Sequence, residues 1–332
     1  MQNALLSMDP ARYEEPMSNF RLALSVLVAL KTVWFTNQAV AEQTGPPRRV
    51  LGGDDSTRRL AIIRPDGSVE WEMKVGAIHD AWVLPNGNIL FQQGWTKLVE
   101  VTPEKKTVWE YDAAARHQGK RVEVHAFQRL TNGWTMLAES GPACIIEVDQ
   151  SGSVQKELKL KVNRPNAHSD TRLVRKLGTG NYLVAHESDG FVREYDPAGQ
   201  VVWEYEVPLF GKELQGGHGP EAFGNSVFSA IRLANGNTLI GTGNGHSVLE
   251  VTPKKEIVWK VAQRELPGIT LAWVTRVERL ENGNTRIGNC HAGPDNPQFI
   301  EVTPRKEVVW TFKDWKNFGN SMPVQAVLEP AN

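Results

Sequence analysis

The chain of 332 residues is 40% hydrophobic and 23% charged, an ordinary composition for a globular protein of one large or two medium domains. Its formal net charge of −1 argues against the strongly basic field that nucleic acids and anionic membranes attract, so no nucleic-acid partner is expected. Two cysteines, Cys144 and Cys290, are too few for a disulfide-rich scaffold.

The N-terminal segment differs in composition from the rest of the chain. An apolar run at 22–30 follows a basic residue, and small residues at 39–41 lie at the spacing that a signal peptidase needs. We therefore predict a leader over residues 1–45 that carries a cleaved export signal, with Met17 as its start and cleavage after Ala41. A disordered or anchoring leader is the alternative.

The apolar run of this leader is interrupted by Lys31 and is too short to span a bilayer. We therefore expect no transmembrane span. A cleaved export signal predicts a periplasmic or secreted protein.

A turn motif of the form Leu-x-x-Gly-x recurs through the rest of the chain. Its copies are "LPNGN" (84–88), "LTNGW" (130–134), "LGTGN" (177–181), "LANGN" (233–237), "LENGN" (280–284) and a truncated "LEPAN" (328–332). Asn-Gly supplies the positive φ angles of a two-residue hairpin turn, so each copy is predicted to join two antiparallel strands.

A second motif consists of a short strand, a polar turn and another strand, which ends on Trp in five of the six copies. The copies are "IIRPDGSVEW" (62–71), "EVTPEKKTVW" (100–109), "EVDQSGSVQK" (147–156), "EYDPAGQVVW" (194–203), "EVTPKKEIVW" (250–259) and "EVTPRKEVVW" (301–310). Together the two motifs predict four strands per repeat, a to d in chain order, rich in β-branched and aromatic residues.

Four-stranded units that repeat about every 45–55 residues are typical of a β-propeller. The predicted fold class is therefore all-β, a single six-bladed β-propeller domain of four-stranded blades over residues 46–332. The segment at 49–53 matches strand b but has no strand a before it, and 322–332 is a strand a without a following strand b. The C-terminal strand is thus predicted to join the N-terminal blade and close the ring.

This ring also bears on the two cysteines. Cys144 and Cys290 belong to blades that lie three apart in a ring of six, and therefore face each other across it. A disulfide between them is geometrically implausible, so we predict two free thiols.

All eight histidines are predicted to lie on one face of the propeller, at the start of strand a or in the long b–c and d–a connections. They are His79, His117, His125, His168, His186, His218, His246 and His291. Imidazoles gathered on one face suit acid–base chemistry, metal binding or anion recognition. The alternative is that polar channel side chains bind only water and one another.

One position of strand a, five residues before the Leu of the turn motif, predicts the lining of the channel mouth. Its occupants in the six repeats are His79, His125, Arg172, Phe228, Thr275 and Pro323. The mouth is therefore predicted to be polar over half its circumference and apolar over the other half. That asymmetry suits a ligand with a charged end and a flat or apolar end.

The candidate catalytic residues are His79, His125, His168 and Arg172. One histidine would act as nucleophile or general base, and the guanidinium fork would hold a sulfate or carboxylate. The candidate ligand-binding residues lie beside these or in the b–c loops; they are Asp80, Asp170, His186, His246, His291, Trp95, Trp273 and Asn289.

No metal ligand or cofactor is assigned from the sequence. The stretch "GTGNGHS" (241–247) lies between two strands, which is not the context of a phosphate loop. The acidic stretch "GGDDST" (52–57) lacks calcium-loop spacing, and zinc would require histidines to converge in space, since no HExxH or paired-Cys pattern occurs.

The "D-x-x-G-x-V-x-W" units resemble the repeats of quinoprotein-type propellers, the pyrroloquinoline-quinone-like family, over nearly all of residues 46–332. Quinoprotein dehydrogenases have eight blades and an adjacent-cysteine disulfide over the quinone. Because this chain has six repeats and two isolated cysteines, we expect no bound quinone.

The stretch "HDAWVLPNGNIL" (79–90) also resembles bacterial arylsulfotransferase propellers, with His79 and Asp80 as the matching residues. That resemblance implies an exported six-bladed propeller whose channel histidines act in sulfuryl transfer. The overall pattern is also similar to secreted bacterial propellers labelled surface-layer-like.

These observations leave three functional hypotheses open. The first is an exported, monomeric propeller that binds a small molecule or carbohydrate at its loop-rich face. The second is a transferase or hydrolase that uses the channel histidines. The third, a protein-interaction platform, predicts an apolar rim rather than a polar channel.

Overall fold

The computed structural model of the protein describes residues 41–328. The predicted export signal and its start at Met17 lie outside the described residues. Within that range the secondary structure consists of strands and one short helix, α1 (Ala113–His117). The strands are β1 (Glu42–Thr44), β2 (Arg49–Asp54), β3 (Arg59–Ile63), β4 (Val69–Lys74), β5 (Ala81–Val83), β6 (Ile89–Gln93), β7 (Lys97–Val101), β8 (Thr107–Asp112), β9 (Phe127–Arg129), β10 (Thr135–Glu139), β11 (Cys144–Val148), β12 (Val154–Lys159), β13 (Leu173–Lys176), β14 (Tyr182–His186), β15 (Phe191–Tyr195), β16 (Val201–Glu206), β17 (Ser229–Arg232), β18 (Thr238–Gly241), β19 (Val248–Val251), β20 (Ile257–Val261), β21 (Trp273–Arg279), β22 (Thr285–Cys290), β23 (Phe299–Val302), β24 (Val308–Lys313) and β25 (Val324–Leu328).

These strands form six antiparallel sheets, which we number as blades by the chain order of their strand a. Blades 1 to 5 are β5–β8, β9–β12, β13–β16, β17–β20 and β21–β24, and blade 6 has the order β25-β2-β3-β4. The predicted six-bladed, all-β propeller is confirmed. Its hydrophobic core lies between neighbouring blades, as where Phe91 of blade 1 packs with Leu51 and Val324 of blade 6.

The ring closes as the sequence predicted, because β25 supplies strand a of the blade that β2 begins. The two strands pair antiparallel, with Leu51 opposite Ala326 and Gly53 opposite Val324. A further strand was not predicted: β1 pairs with β24 and makes blade 5 five-stranded, with Gln43 opposite Phe312.

The repeated Trp of strand d ties three of the six blades to the next. The indole N–H of Trp71 donates to the carbonyl of Pro103 at 2.9 Å, and Trp259 does the same to Pro304 at 2.9 Å. The acceptor lies in the c–d turn of the following blade, so Trp and Pro of the motif serve one inter-blade hydrogen bond.

A charged pair also repeats between neighbouring blades. Arg129 of blade 2 bonds to Glu100 of blade 1 at 2.5 Å, and Arg279 of blade 5 to Glu250 of blade 4 at 2.8 Å. Since each arginine also lies over the strand-d Trp of the preceding blade, as Arg129 does at 5.1 Å from Trp109, the blades are held by stacking as well as by charge.

The two cysteines are buried free thiols in blades 2 and 5, on opposite sides of the ring, as predicted. In the described part of the chain, no helix has the length and apolar character that crossing a membrane requires.

Candidate functional site

A cavity of about 350 Å³ opens at the loop-rich end of the central channel. Five of the six equivalent strand-a residues line it: His79, Arg172, Phe228, Thr275 and Pro323. The sixth, His125, lies directly behind them with 1% of its surface exposed. The remaining lining residues belong to the b–c and d–a connections or the strand ends beside them, so the cavity lies on the predicted face.

Three of the predicted histidines converge on one wall of this cavity. The ring centroids of His79 and His125 are 4.7 Å apart, those of His125 and His168 5.4 Å, and those of His79 and His168 6.2 Å. The ring of Trp95 lies 5.2 Å from His168 and covers the group from the outer side. Their assignment as catalytic residues stays a prediction.

His79 is held in one tautomer by strand β6. The side-chain oxygen of Gln92 accepts from the backbone N–H of His79 at 2.8 Å and lies 3.2 Å from Nδ1. An Nδ1–H that donates to this oxygen leaves the lone pair of Nε2 for a ligand. Burial lowers the pKa of His79 well below its usual range and Arg172 lowers it further, so the ring is neutral at physiological pH.

Glu123 joins the histidine wall, although the sequence did not identify it as a site residue. Its Oε2 lies 2.8 Å from Nδ1 of His168 and 3.2 Å from Nε2 of His125, while Arg121 donates to Oε1 at 2.6 and 3.0 Å. Burial raises the pKa of Glu123, but its close contacts with His125, His168 and Arg121 outweigh it and hold the pKa below its usual range. The carboxylate is therefore ionised.

His125 is a buried neutral imidazole between this carboxylate and Arg172. Burial, reinforced by the Arg172 guanidinium, lowers the pKa of His125 to about 3. Its Nδ1 lies 3.5 Å from Nη1 of Arg172 and 3.4 Å from Nδ1 of His79. The ring of His125 thus lies between His79 and Arg172, two of the other predicted catalytic residues.

Arg172 lies at the boundary between the polar and apolar walls. Its Nε donates to Glu187, and its guanidinium carbon lies 5.5 Å from the ring centre of Phe228. Because Glu187 already balances this cation, the arginine has less charge to offer an anionic ligand than the sequence implied.

The opposite wall is aromatic but not purely apolar. The ring of His218 lies 5.0 Å from Trp273 and 5.2 Å from His291. Burial, with His218 beside it, lowers the pKa of His291 to about 4. The sequence predicted Trp273 and His291 as ligand-binding residues. It placed His218 on the same face of the propeller, in the connection between β16 and β17, but gave it no role.

Asp80 lies beneath the cavity and closes the channel. Its carboxylate accepts from Arg175 at 3.0 Å and from Arg276 at 2.7 Å, which come from blades 3 and 5. Both guanidiniums lie over the ring of Trp82, at 4.7 and 5.6 Å. This buried bridge separates the mouth from a second cavity of about 310 Å³ on the turn face, which the two arginines and Trp82 line.

The structure does not bring His186 or Asp170 into the cavity. The two nitrogens of His186 lie 2.7 Å from the carbonyl oxygen of Asp170 and 2.8 Å from the Tyr195 hydroxyl, and burial lowers its pKa to about 4. The Asp170 carboxylate accepts from the backbone N–H of Gly141 at 2.9 Å. Both residues brace loops of blades 2 and 3.

His246 and Asn289 have comparable bracing contacts outside the cavity. The nitrogens of His246 contact the carbonyl oxygens of Ala272 and Ala222. The Asn289 side chain accepts from the Ala272 N–H at 2.9 Å and donates to the Thr270 carbonyl at 3.1 Å. These contacts shape the loop behind Trp273.

Comparison with known proteins agrees with this architecture. The PQQ_2 family model, described as outer membrane protein assembly factor BamB, matches residues 56–276. No curated protein matches the chain.

Solved structures with the same fold include a protein of unknown function from Bacteroides caccae. It is 24% identical, with a TM-score of 0.70 over 84% of this chain and 98% of that one. A streptogramin B lyase is 13% identical, with a TM-score of 0.56 over 83% and 88% of the two chains. A catalytically inactive virginiamycin B lyase from Staphylococcus aureus, solved with quinupristin, is 10% identical, with a TM-score of 0.55 over 84% and 93%. At these identities the likeness shows the fold alone.

Proposed function

We propose that this propeller, which belongs to the PQQ_2 family of outer membrane protein assembly factor BamB, binds a small molecule at the histidine-lined mouth of its channel. The observation that carries the proposal is the convergence of His79, His168 and Arg172 opposite Trp273 and Phe228 in one cavity. A volume of about 350 Å³ falls in the range of small-ligand pockets. The proposed location is periplasmic or secreted.

The charges of the cavity favour a neutral, polar ligand with one flat face, which is the chemistry of a carbohydrate. Glu187 balances Arg172, and Arg121 balances Glu123 beside neutral His125. An anionic ligand would therefore meet little free positive charge. Trp95, which lines the cavity and is 42% exposed, offers a stacking face, and the imidazoles that line the cavity offer hydrogen bonds to hydroxyl groups.

This proposal is tested by titrating a panel of mono- and oligosaccharides while following tryptophan fluorescence, with isothermal titration calorimetry as the second readout. Trp95→Ala should raise the Kd of a bound sugar at least tenfold, which is about 1.4 kcal/mol. Phe210→Ala is the matched control, because Phe210 is an exposed loop aromatic outside the cavity. Absence of any binder, or an unchanged Kd in Trp95→Ala, contradicts the proposal.

Acid–base catalysis at the same wall is a second candidate, favoured by the contact between Glu123 and His168. A carboxylate that binds Nδ1 of a histidine orients the ring and leaves Nε2 as a base or nucleophile. The resemblance of His79 and Asp80 to arylsulfotransferases makes sulfuryl transfer the reaction to test first.

The assay uses a panel of phenolic sulfate donors with phenol acceptors. Wild-type protein should release the donor phenol, and His79→Ala and His168→Ala should each lower that rate at least a hundredfold. His117→Ala is the control, because His117 binds Glu139 away from the cavity. Inactive wild-type protein across the whole panel removes this candidate and leaves the binding proposal standing.

A further inference from the structure

Glu123, His125 and His168 bring together the donor atoms of a metal site. One carboxylate oxygen and two imidazole nitrogens from these residues lie within 4.8 Å of one another. Two histidines and one carboxylate form a donor set that binds Zn²⁺ in hydrolases and Fe²⁺ in oxygenases. The sequence did not predict this set, because His168 lies between β12 and β13, whereas Glu123 and His125 lie between β8 and β9.

The two separations from the carboxylate oxygen to the imidazole nitrogens are close to those of atoms that share a metal ion. Ligand atoms at 2.0–2.1 Å from a tetrahedral Zn²⁺ lie about 3.3 Å apart. Oε2 of Glu123 is 3.2 Å from Nε2 of His125 and 2.8 Å from Nδ1 of His168. Small side-chain rotations would therefore admit an ion between them.

A second observation concerns the buried nitrogen of His125. Its Nε2 has no hydrogen-bond partner among the described residues, because the contact with Glu123 lacks hydrogen-bond geometry. A buried nitrogen without a partner costs folding free energy unless something binds it. A metal ion would satisfy this atom directly.

The surroundings also hold the carboxylate in a ligating orientation. Two guanidinium nitrogens of Arg121 donate to Oε1 of Glu123, and Oε2 faces the two histidines. Outer hydrogen bonds of this kind orient the ligands of protein metal sites. Glu187 pairs with Arg172 and so reduces its repulsion of a cation.

We propose that Glu123, His125 and His168 bind one first-row divalent transition metal ion, with Zn²⁺ as the probe. Three protein ligands leave a fourth position open to solvent or substrate. That position is reached from the channel mouth, because His168 lines the cavity. The metal site stands independently of the ligand class proposed above.

The test titrates Zn²⁺ into the full-length, untagged protein by calorimetry, without any organic ligand. Wild-type protein should bind one equivalent, and Glu123→Gln and His168→Ala should each lower the affinity at least tenfold. Co²⁺ in place of Zn²⁺ should give visible absorption bands typical of four- or five-coordinate nitrogen and oxygen ligation, and these bands should be lost in Glu123→Gln.

His218→Ala is the matched control, since it removes a histidine from the opposite wall of the same cavity. Its Zn²⁺ affinity should equal that of wild type, and circular dichroism should show native secondary structure in every variant. The proposal is overturned if wild type binds no stoichiometric Zn²⁺. Equal binding by wild type and His168→Ala, or an equal loss in His218→Ala, overturns it as well.

Discussion

Histidine side chains of the loop-rich face differ in role because their immediate surroundings differ. Both ring nitrogens of His186 contact fixed protein oxygens, so this histidine braces a loop. His79 has one nitrogen held by Gln92 and the other available, and His168 is oriented by Glu123. A histidine's value as a site residue is thus decided by which of its nitrogens is already bound.

The buried histidines predict a loss of stability in mild acid. Burial lowers the pKa of His186 and His291 to about 4, against 6.5 for a free imidazole. As pH falls below about 6.5 the unfolded chain takes up these protons and the native protein does not, so unfolding becomes more favourable. Their contribution is complete above about pH 6.5 and is lost progressively down to about pH 4, at up to about 1.4 kcal/mol per pH unit for each histidine.

Urea unfolding at about pH 7.5, 6 and 5 measures this dependence. His186→Gln should lower stability at every pH, because it loses bracing contacts, but should also flatten the slope between pH 7.5 and 5. A variant slope equal to that of wild type would show that His186 takes up its proton in the native state as readily as in the unfolded one.

At the scale of elements, strand a of every second blade contributes to the bridge that closes the channel. Asp80 immediately precedes β5, while Arg175 and Arg276 lie in β13 and β21. The carboxylate is fully buried, and its two partners approach from across the ring. These three short strands are therefore held in register by charge as well as by their own ladders.

Removing the Asp80 carboxylate should lower the free energy of unfolding substantially. Asp80→Asn leaves two guanidiniums without their counter-charge, and we expect a loss of about 3–5 kcal/mol in the free energy of unfolding. Glu70→Gln, which breaks the exposed pair with Arg49, should cost less than about 1 kcal/mol. Denaturant unfolding followed by tryptophan fluorescence provides the comparison.

A double variant tests whether the unpaired guanidiniums, rather than lost packing around residue 80, cause the loss of stability. Adding Arg276→Met to Asp80→Asn removes one of the unpaired cations and should restore part of the lost stability. If the double variant is less stable than the single one, unpaired charge is not the cause.

For the whole molecule, stability depends on a ring that one strand closes. Without β25, the inner edge of β2 would lose its partner and the neighbouring interface would lose Val324. By contrast, β1 lies on the outer edge of blade 5 and adds three residue pairs to β24 without taking part in closure.

Two truncations compare these strands. A chain that ends at Pro323 should lose cooperative unfolding and aggregate, because an unpaired edge and an open ring are exposed. A chain that begins at Gly45 lacks β1 and should keep one cooperative transition with a modestly lower Tm. Thermal unfolding with light scattering measures both chains. If the two show the same cooperativity, Tm and aggregation, ring closure by β25 stabilises the protein no more than the added edge strand β1 does.

The repeat, the hairpins, the blade number and the closing strand could all be predicted from the sequence, because turn chemistry and strand alternation are local properties of each repeat. The sequence also predicted that His79, His125 and Arg172 occupy equivalent positions, and hence that they share one channel mouth.

Which side chains meet at the channel mouth became visible only in the folded ring. Glu123 and His218 lie outside the repeat register, and Arg175 and Arg276 reach Asp80 from blades far apart in the chain. His186 and His246 share the histidine-rich face, yet their nitrogens contact fixed protein oxygens. Distances across a ring depend on how six blades pack and how irregular loops fold back, and no periodic pattern in the sequence encodes them.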